Sequence, residues 1–286
     1  MTTITAQPIL RSRNTSRPDK VLSTLLLRYP RFIHSEFMTH RALSKNAGSS
    51  RAIPVKKIID SILYDTAMPI HWGANQRGMQ ADEECNEPVD GISREEAWLA
   101  ARDHAIMVAR AYDKAGYHKQ IVNRILEPYM HITVVVSGTE WDNFLELRTH
   151  KDAEPHFQML ARAIEGCLTE GPIQDLDPGE WHLPFIDRSE LYMTDITTAK
   201  KISVACCAST SYKTVDGFDM TKAKAEDIFQ KLVTSKPLHA SPLEHVAQVD
   251  QFHEAYGDNS GWYRERWEHP EQHANFVGFR QYRHQL

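Results

Sequence analysis

The sequence predicts an α+β fold: a single domain with a central, mostly antiparallel sheet flanked by helices. The β-prone segments are few and widely separated, at residues 21–27, 130–137 and 246–252. Apolar residues at helical spacing fill most of the chain between them. Strands and helices do not alternate in the regular βαβ pattern that builds a parallel sheet, which favours the α+β class. At 286 residues the chain can bury a large core without a metal or disulfide.

The composition is that of an ordinary globular protein, with 41% hydrophobic and 25% charged residues. These values exclude a disordered chain, a collagen-like chain and a coiled-coil rod. The net charge of −5 argues against nucleic acid as a partner, because nucleic-acid-binding domains carry a basic excess. Apolar runs are too short to span a membrane, and no signal-peptide core follows the N-terminal arginines. The 4 cysteines match neither a disulfide framework nor a zinc ribbon, which predicts a cytoplasmic protein.

The beginning of the chain is predicted to hold an arm, a strand and two helices. Residues 1–20 are polar without a period and predict an N-terminal surface arm ahead of the domain at 21–286. The strand over 21–27 ends near Pro30, because proline cannot donate to a strand ladder. Apolar periodicity and composition predict the remaining elements here, which are helices over 31–43 and 55–66 joined by a polar loop over 44–51.

The middle of the chain begins with a long irregular segment at 69–90, which is rich in turn-forming residues. Ser93 and Glu96 form a capping-box pattern, which predicts a helix ending near Ala115. Alternating residues at 130–137 predict the clearest strand, and Thr139 is placed to cap the helix that follows it. The other predicted helices cover 118–126, 153–168, 198–209 and 220–233, before the last strand at 246–252.

A first group of polar residues follows the helix predicted to end near residue 43. His40 and Arg41 lie at the helix end, and Asn46, Ser49 and Arg51 lie in the loop after it. Guanidinium groups, hydroxyls and backbone N–H groups are the donors that cradle phosphate. The alternative is a polar helix end on a solvated surface.

A second group combines Arg124, four residues before Pro128, with Asn143 and Arg148. Asn143 and Arg148 border an apolar face, where a buried arginine is costly unless an anion pairs with it. A ligand could be that anion, and a structural salt bridge to a nearby carboxylate is the alternative.

A third group is the heptapeptide His239–His245, which contains two histidines and Glu244. Its spacing is not that of a zinc protease, in which two histidines lie four residues apart on one helix. The residues instead predict a helix start, with Ser241 as N-cap, Pro242 at the first position and Glu244 completing a capping box.

Together these segments resemble the flavin-dependent thymidylate synthases. The family signature is R-H-R, two residues, S, one residue, N-E, one residue, S, one residue, R, and most of it is in register over 39–51. Four further segments match shorter family motifs, at 124–128, 143–148, 207–212 and 239–245. In the common form of the family the last two precede the R-H-R motif. The chain therefore resembles a circularly permuted relative, and permutation at surface loops is tolerated.

The resemblance implies an α+β homotetramer that binds FAD and a pyrimidine deoxynucleotide monophosphate between its subunits. In such enzymes reduced flavin delivers hydride, methylenetetrahydrofolate supplies the carbon, and NADPH is the expected reductant. Arg148 would be the catalytic residue, facing the pyrimidine and favouring its N3-ionised form, which makes C5 more nucleophilic. The implied nucleotide contacts are Glu36, Thr39, Ala47, Gly48, Ser49, Ser50, Arg51 and Arg124. The implied flavin contacts are His40, Arg41, Asn46, Ser137, Thr139, Asn143, Ser211, His239, Ser241 and Glu244.

Several positions depart from the family pattern. Thr39 replaces the first arginine of the signature and Ala47 its glutamate, while Ser137 and Thr139 replace two flavin contacts, an asparagine and an arginine. Glu36 replaces a glutamine beside the base, and a carboxylate accepts hydrogen bonds but cannot donate one. It would suit the exocyclic amine of cytosine better than a uracil carbonyl. We expect methylation of dUMP to dTMP, with three alternatives: a cytosine substrate, a hydroxymethyl product, or nucleotide binding without catalysis.

Overall fold

The computed structural model describes residues 3–78, 80–187, 194–210, 220–254 and 266–286. The architecture is α+β, as predicted, with a five-stranded sheet flanked by helices, a three-stranded sheet and a two-stranded ribbon. The strands are β1 (Thr5–Asn14), β2 (Val21–Pro30), β3 (Ser44–Ala47), β4 (His131–Gly138), β5 (Gln174–Leu176), β6 (Trp181–His182), β7 (Ala247–Val249), β8 (Phe252–His253), β9 (Arg266–Trp267) and β10 (Phe279–Gln281). The α-helices are α1 (His34–Phe37), α2 (Val55–Tyr64), α3 (Arg94–Lys114), α4 (Lys119–Leu126), α5 (Asp142–Thr149), α6 (Pro155–Glu170), α7 (Ile196–Ala208), α8 (Lys222–Thr234) and α9 (Ser241–Glu244).

The five-stranded sheet has the order β3-β4-β2-β1-β5. Neighbouring strands are antiparallel except for β1 and β5, which run parallel. The strand β4 lies between β2 and β3, so both of its edges are paired, and its apolar residues Ile132, Val134, Val135 and Val136 are buried. The three-stranded sheet has the order β10-β7-β6, and β8 pairs with β9.

One face of the five-stranded sheet packs against α5 and α6. Leu25, Leu27 and Val136 of the sheet are buried in one apolar cluster with Phe144 of α5 and Phe157 of α6. A second cluster joins the apolar sides of α2, α3 and α4. The alternation of side chains along β2 and β4 therefore positions α5, which carries Arg148, against one face of the sheet.

The surface arm predicted for residues 1–20 is wrong for Thr5–Asn14, which forms β1 inside the five-stranded sheet. Three of its polar side chains, Arg11, Ser12 and Asn14, are buried because they have partners on distant segments. The Nδ2 group of Asn14 donates to the carbonyl oxygens of Asp250 at 2.8 Å and Gly278 at 3.0 Å. A polar sequence predicts exposure only where such partners are absent.

Other element predictions are corrected in the region before and after β4. The predicted helix over 31–43 ends early, because a 3-10 helix at Arg31–Ile33 leads into α1, which ends at Phe37, and the predicted loop over 44–51 begins with β3. Thr139 does not cap α5, whose N-cap is Trp141. The Oγ1 atom of Thr139 instead accepts a hydrogen bond from the backbone N–H of Val277 at 3.0 Å. The strand expected at 246–252 is divided into β7 and β8.

The irregular segment at 69–90 is confirmed. Isolated β-bridges pair short extended stretches in it, such as the bridge between Gly73 and Glu84. The helix predicted after Ser93 is also confirmed as α3, and its capping box is formed. None of the helices in the described ranges is both long and apolar enough to cross a membrane.

Replacement of the α3 cap by Ser93→Ala is expected to lower the free energy of unfolding by about 1 kcal/mol. Ser93 accepts from the backbone N–H of Glu96, and the Glu96 carboxylate accepts from the backbone N–H of Ser93. Urea denaturation measures the change, and Ser93→Asp is the matched control, because aspartate also caps helices. Equal losses in both variants would contradict a role for the cap.

Candidate active site

Arg148 and His40 meet although more than a hundred residues separate them in the chain. The Nε–H of Arg148, in the last turn of α5, donates to Nε2 of His40 at 2.9 Å. The Nη1 atom of Arg148 lies 4.0 Å from Oε2 of Glu36, which belongs to α1. The residue predicted to be catalytic therefore contacts one predicted flavin residue and one predicted base-recognition residue.

Aromatic rings hold this group in place. The His40 ring packs edge-on against Phe144, with ring centroids 4.9 Å apart. The guanidinium carbon of Arg148 lies 4.7 Å from the centroid of Phe157, which is cation–π geometry. Burial, and then the charges of Arg148 and Lys45, lower the pKa of His40 to about 4. His40 is therefore neutral at pH 7, with its Nε2 accepting and its proton on Nδ1.

Lys45 is a charged neighbour of this group that the sequence analysis did not single out. Its Nζ group donates to the backbone carbonyls of His40 and Leu43, the latter at 3.0 Å. Burial lowers the pKa of Lys45 to about 8, although the Glu244 carboxylate acts in the opposite direction. The sequence predicts a loop here, and the partly buried position of Lys45 follows only from its place in β3.

The strand β3 also brings the segments at 207 and 241 together. The Nδ2 group of Asn46 donates to the carbonyl oxygen of Cys207, and Ser241 Oγ donates to Asn46 Oδ1 at 3.3 Å. The predicted capping box of the third group is not formed, because α9 starts after Ala240 and Glu244 pairs with Arg283. Ser241 is thus exposed next to Asn46 and not engaged as a cap.

The predicted nucleotide residues Gly48 and Ser50 line a cavity of about 620 Å³ between α2 and the sheet. The Oγ of Ser50 donates to Oε1 of Glu127 at 2.8 Å. The carbonyl oxygen of Ser50 accepts from Nδ2 of Asn123 at 2.7 Å. The loop after β3 is therefore anchored to α4 and to the turn that follows it.

The remaining predicted site residues differ in burial. Those on exposed surface are Thr39, Arg41, Arg51, Arg124, Asn143 and His239. Ala47 and Ser49 are partly buried at the end of β3 and just beyond it, and Thr39 donates to the carbonyl oxygen of Glu36. Ser211 lies outside the described residues.

Ser137 belongs to a chain of buried polar groups. Its hydroxyl lies 2.6 Å from Thr24 Oγ1 and 2.8 Å from Nδ1 of His245. The Nε2 atom of His182 lies 2.8 Å from Thr24 Oγ1, and its Nδ1 lies 2.7 Å from Ser12 Oγ. Burial lowers the pKa of both histidines to about 3. The Ser137 hydroxyl has two partners inside this buried chain, so its location does not fit a flavin contact, although Nε2 of His245 has no partner among the described residues.

Four of the implied flavin residues do lie along one edge of the sheet, around β3. They are His40, Asn46, Ser241 and Glu244. A neutral imidazole, an amide and a hydroxyl can donate to and accept from the carbonyls and ring nitrogens of a flavin. The donor set of this edge therefore fits the cofactor, with Ser137 excluded from it.

No protein-family model and no curated protein sequence matches the chain significantly. Solved structures similar to it include the UMP/dUMP methylase PolB from Streptomyces cacaoi, bound with 5-Br UMP and with 5-Br dUMP. The first is 17% identical, with a TM-score of 0.46, over 59% of this chain and 90% of that chain. The second is 16% identical, with a TM-score of 0.46, over 59% of this chain and 91% of that chain.

Proposed function

We propose that this protein is a flavin-dependent enzyme that transfers one carbon to C5 of a pyrimidine deoxynucleotide monophosphate. The first candidate reaction is dUMP to dTMP with methylenetetrahydrofolate as carbon donor and NADPH as reductant. One observation carries the proposal: Arg148 and His40, which come from two separate matched segments, are in contact, and Glu36, four residues before His40, lies beside Arg148. A chance resemblance of motifs gives no reason for these side chains to meet.

In this proposal Arg148 stabilises negative charge that develops on the pyrimidine. Its Nε–H is held by His40 and its guanidinium face by Phe157, so the cation is fixed in orientation before the substrate arrives. Because His40 is neutral, it fixes Arg148 without adding a second charge. When bound, the flavin would supply the hydride equivalent, held by His40, Asn46, Ser241 and Glu244.

Glu36 is proposed to help choose the base, because its carboxylate lies beside Arg148. We expect Glu36→Gln to shift the ratio of cytosine to uracil turnover about tenfold towards uracil, since one charged acceptor is replaced by a group that also donates. The ratio is measured with equal dUMP and dCMP, and Glu146→Gln on the exposed side of α5 is the control. An unchanged ratio would remove Glu36 from base recognition.

The reaction itself is tested under anaerobic conditions with reduced FAD, methylenetetrahydrofolate and equal dUMP and dCMP. Mass spectrometry of the nucleotides then identifies the product. Methylated uracil supports thymidylate synthesis, whereas a hydroxymethylated or cytosine-derived product supports the alternatives on the same scaffold. No product, together with a colourless protein that does not bind added FAD, would favour the non-catalytic nucleotide-binding protein.

We also propose that the protein assembles as a homotetramer with its sites between subunits. The exposed positions of Arg51 and Arg124, implied nucleotide contacts, and of Arg41, an implied flavin contact, support this, because ligand contacts on the surface of one subunit can complete a site on the next. Light scattering of the purified protein, with and without dUMP, gives the number of subunits. A monomer in both conditions would contradict it.

A further inference from the structure

The hydrogen-bond partner of the Arg148 guanidinium comes from an irregular connection and not from a helix or a strand. His40 lies between α1, which ends at Phe37, and β3, which begins at Ser44. Most residues of this connection, 38–43, are exposed. A side chain on such a segment is held less precisely than one on a helix or strand, unless other groups anchor the segment. The orientation of Arg148 therefore depends on what anchors the backbone of His40.

The two backbone hydrogen bonds that His40 makes with its neighbours are long. Its N–H donates to the carbonyl oxygen of Phe37 at 3.3 Å, and its carbonyl oxygen accepts from the N–H of Leu43 at 3.3 Å. Such bonds most often measure about 2.9–3.0 Å. A side-chain anchor reaches the same connection further along, because Nδ2 of Asn275 donates to the carbonyl oxygen of Ala42 at 3.0 Å. That contact lies two residues beyond His40.

Lys45 supplies an anchor at His40 itself. Its Nζ group donates to the carbonyl oxygens of His40 and Leu43, the latter at 3.0 Å, so one side chain joins both ends of the turn 40–43. Lys45 belongs to β3, where it pairs with Val136 of β4. Hydrogen bonds from a charged donor are about twice as strong as neutral ones. The regular geometry of the sheet is thereby transmitted to the segment that carries His40.

Lys45 also contacts the aromatic rings that surround His40. Its Nζ lies 5.3 Å from the centroid of the Phe37 ring, which is cation–π geometry. Phe37 packs edge-on against Phe144 with ring centroids 5.9 Å apart, and Phe144 contacts the ring of His40. The backbone of His40 and the rings beside it are therefore both in contact with groups that Lys45 touches.

We propose that Lys45 is a positioning residue for the reaction: it fixes the turn that carries His40, and through His40 it fixes the orientation of the Arg148 guanidinium. This role rests on the proposed function, in which Arg148 stabilises charge on the pyrimidine. The Nε–H of Arg148 donates to Nε2 of His40 at 2.9 Å, so a shift of the His40 backbone changes where the guanidinium points. A misplacement of about 1 Å can lower a rate by about a hundredfold.

The first test is the hydrogen exchange of the Arg148 Nε–H, followed by proton–nitrogen NMR of the whole protein without added flavin or nucleotide. The signal is identified by its absence in Arg148→Lys. Lys45→Met keeps an apolar stem but removes the donors, and we expect exchange about tenfold faster than in the wild type. Lys45→Arg retains charge and donors and should recover most of the protection. Lys151→Met, which removes an exposed lysine beyond α5, is the matched control and should not change the exchange rate.

The second measurement is turnover by the same variants, with folding verified by thermal denaturation. We expect kcat of Lys45→Met to fall about tenfold while KM for the nucleotide changes less than about twofold, because Arg148 acts on charge that develops in the transition state. Lys45→Arg should recover most of kcat. A role in stability alone would not separate kcat from KM in this way.

Equal Nε–H exchange in Lys45→Met and Lys151→Met would overturn the proposal. An unchanged kcat in Lys45→Met, despite faster exchange at Arg148, would also overturn it. The NMR measurement requires neither flavin nor turnover. Absence of turnover in the wild type would therefore count against the proposed function, while the exchange rates still test whether Lys45 positions Arg148.

Discussion

Arg148→Ala is expected to lower turnover of the pyrimidine nucleotide by at least about 10³-fold while leaving the fold intact. The Arg148 guanidinium is fixed by His40 at 2.9 Å and by the ring of Phe157 at 4.7 Å. Its removal takes away a preorganised cation where charge would develop on the base. The stability loss should be only about 1 kcal/mol, because one hydrogen bond and one cation–π contact disappear.

The activity of Arg148→Ala is compared with that of Arg162→Ala, which removes an exposed arginine from α6. Product formation is followed by mass spectrometry, and urea denaturation verifies folding of both variants. Arg148→Lys is informative as well, since lysine keeps the charge but loses the planar fork and should recover only part of the rate. Full activity of Arg148→Ala would refute the proposed catalytic role.

The free energy of unfolding is expected to fall steeply as the pH is lowered from about 6.5 to about 4.5. His182 and His245 are fully buried, and burial lowers their pKa values to about 3. In the unfolded chain the same groups have a pKa of about 6.5. Below that pH the unfolded state binds protons that the folded state does not, so acid favours unfolding. Each histidine contributes a loss of about 3 kcal/mol at pH 4.5.

Urea denaturation at a series of pH values from 7.5 to 4.5 measures this effect. His245→Asn removes one of the two groups, while its amide oxygen can still accept from Ser137 in place of Nδ1. We expect the pH dependence of this variant to be shallower by about one proton. The exposed His284→Gln should leave the dependence unchanged. A pH-independent stability over this range would contradict neutral, buried histidines.

The α+β class and most helices could be predicted from the sequence because their signals are local. The capping box of Ser93 and Glu96 lies at the start of the helix that it predicts, and the apolar run of β4 lies within the strand that it predicts. The strand β1 could not be predicted in this way. Three of its polar residues, Arg11, Ser12 and Asn14, are buried with partners on distant segments, such as the partners of Asn14 near residues 250 and 278, and no local pattern predicts those contacts.

The same distinction applies to the candidate site. The contact of Arg148 with His40 was anticipated only through the resemblance of motifs, because their spacing in the chain carries no distance information. The contact of Lys45 with the backbone near His40 and the burial of Ser137 beside His245 depend on which face of a strand each side chain occupies. That choice is set by pairing with distant strands. The local pattern predicts a helix-cap role for Glu244. Its partner in the structure is Arg283, which lies far along the chain and so leaves no local signal.

The position of β1 inside the sheet has a consequence for synthesis of the protein. The hairpin β1–β2 is synthesised before its partner strands, because β2 pairs with β4 and β1 pairs with β5, whose residues follow more than a hundred positions later. Both edges of the hairpin therefore stay unpaired while the residues between them and these partners are made. Long-range pairing of this kind slows folding, and open strand edges favour aggregation. We expect yield in recombinant expression to improve at low temperature or with added chaperones.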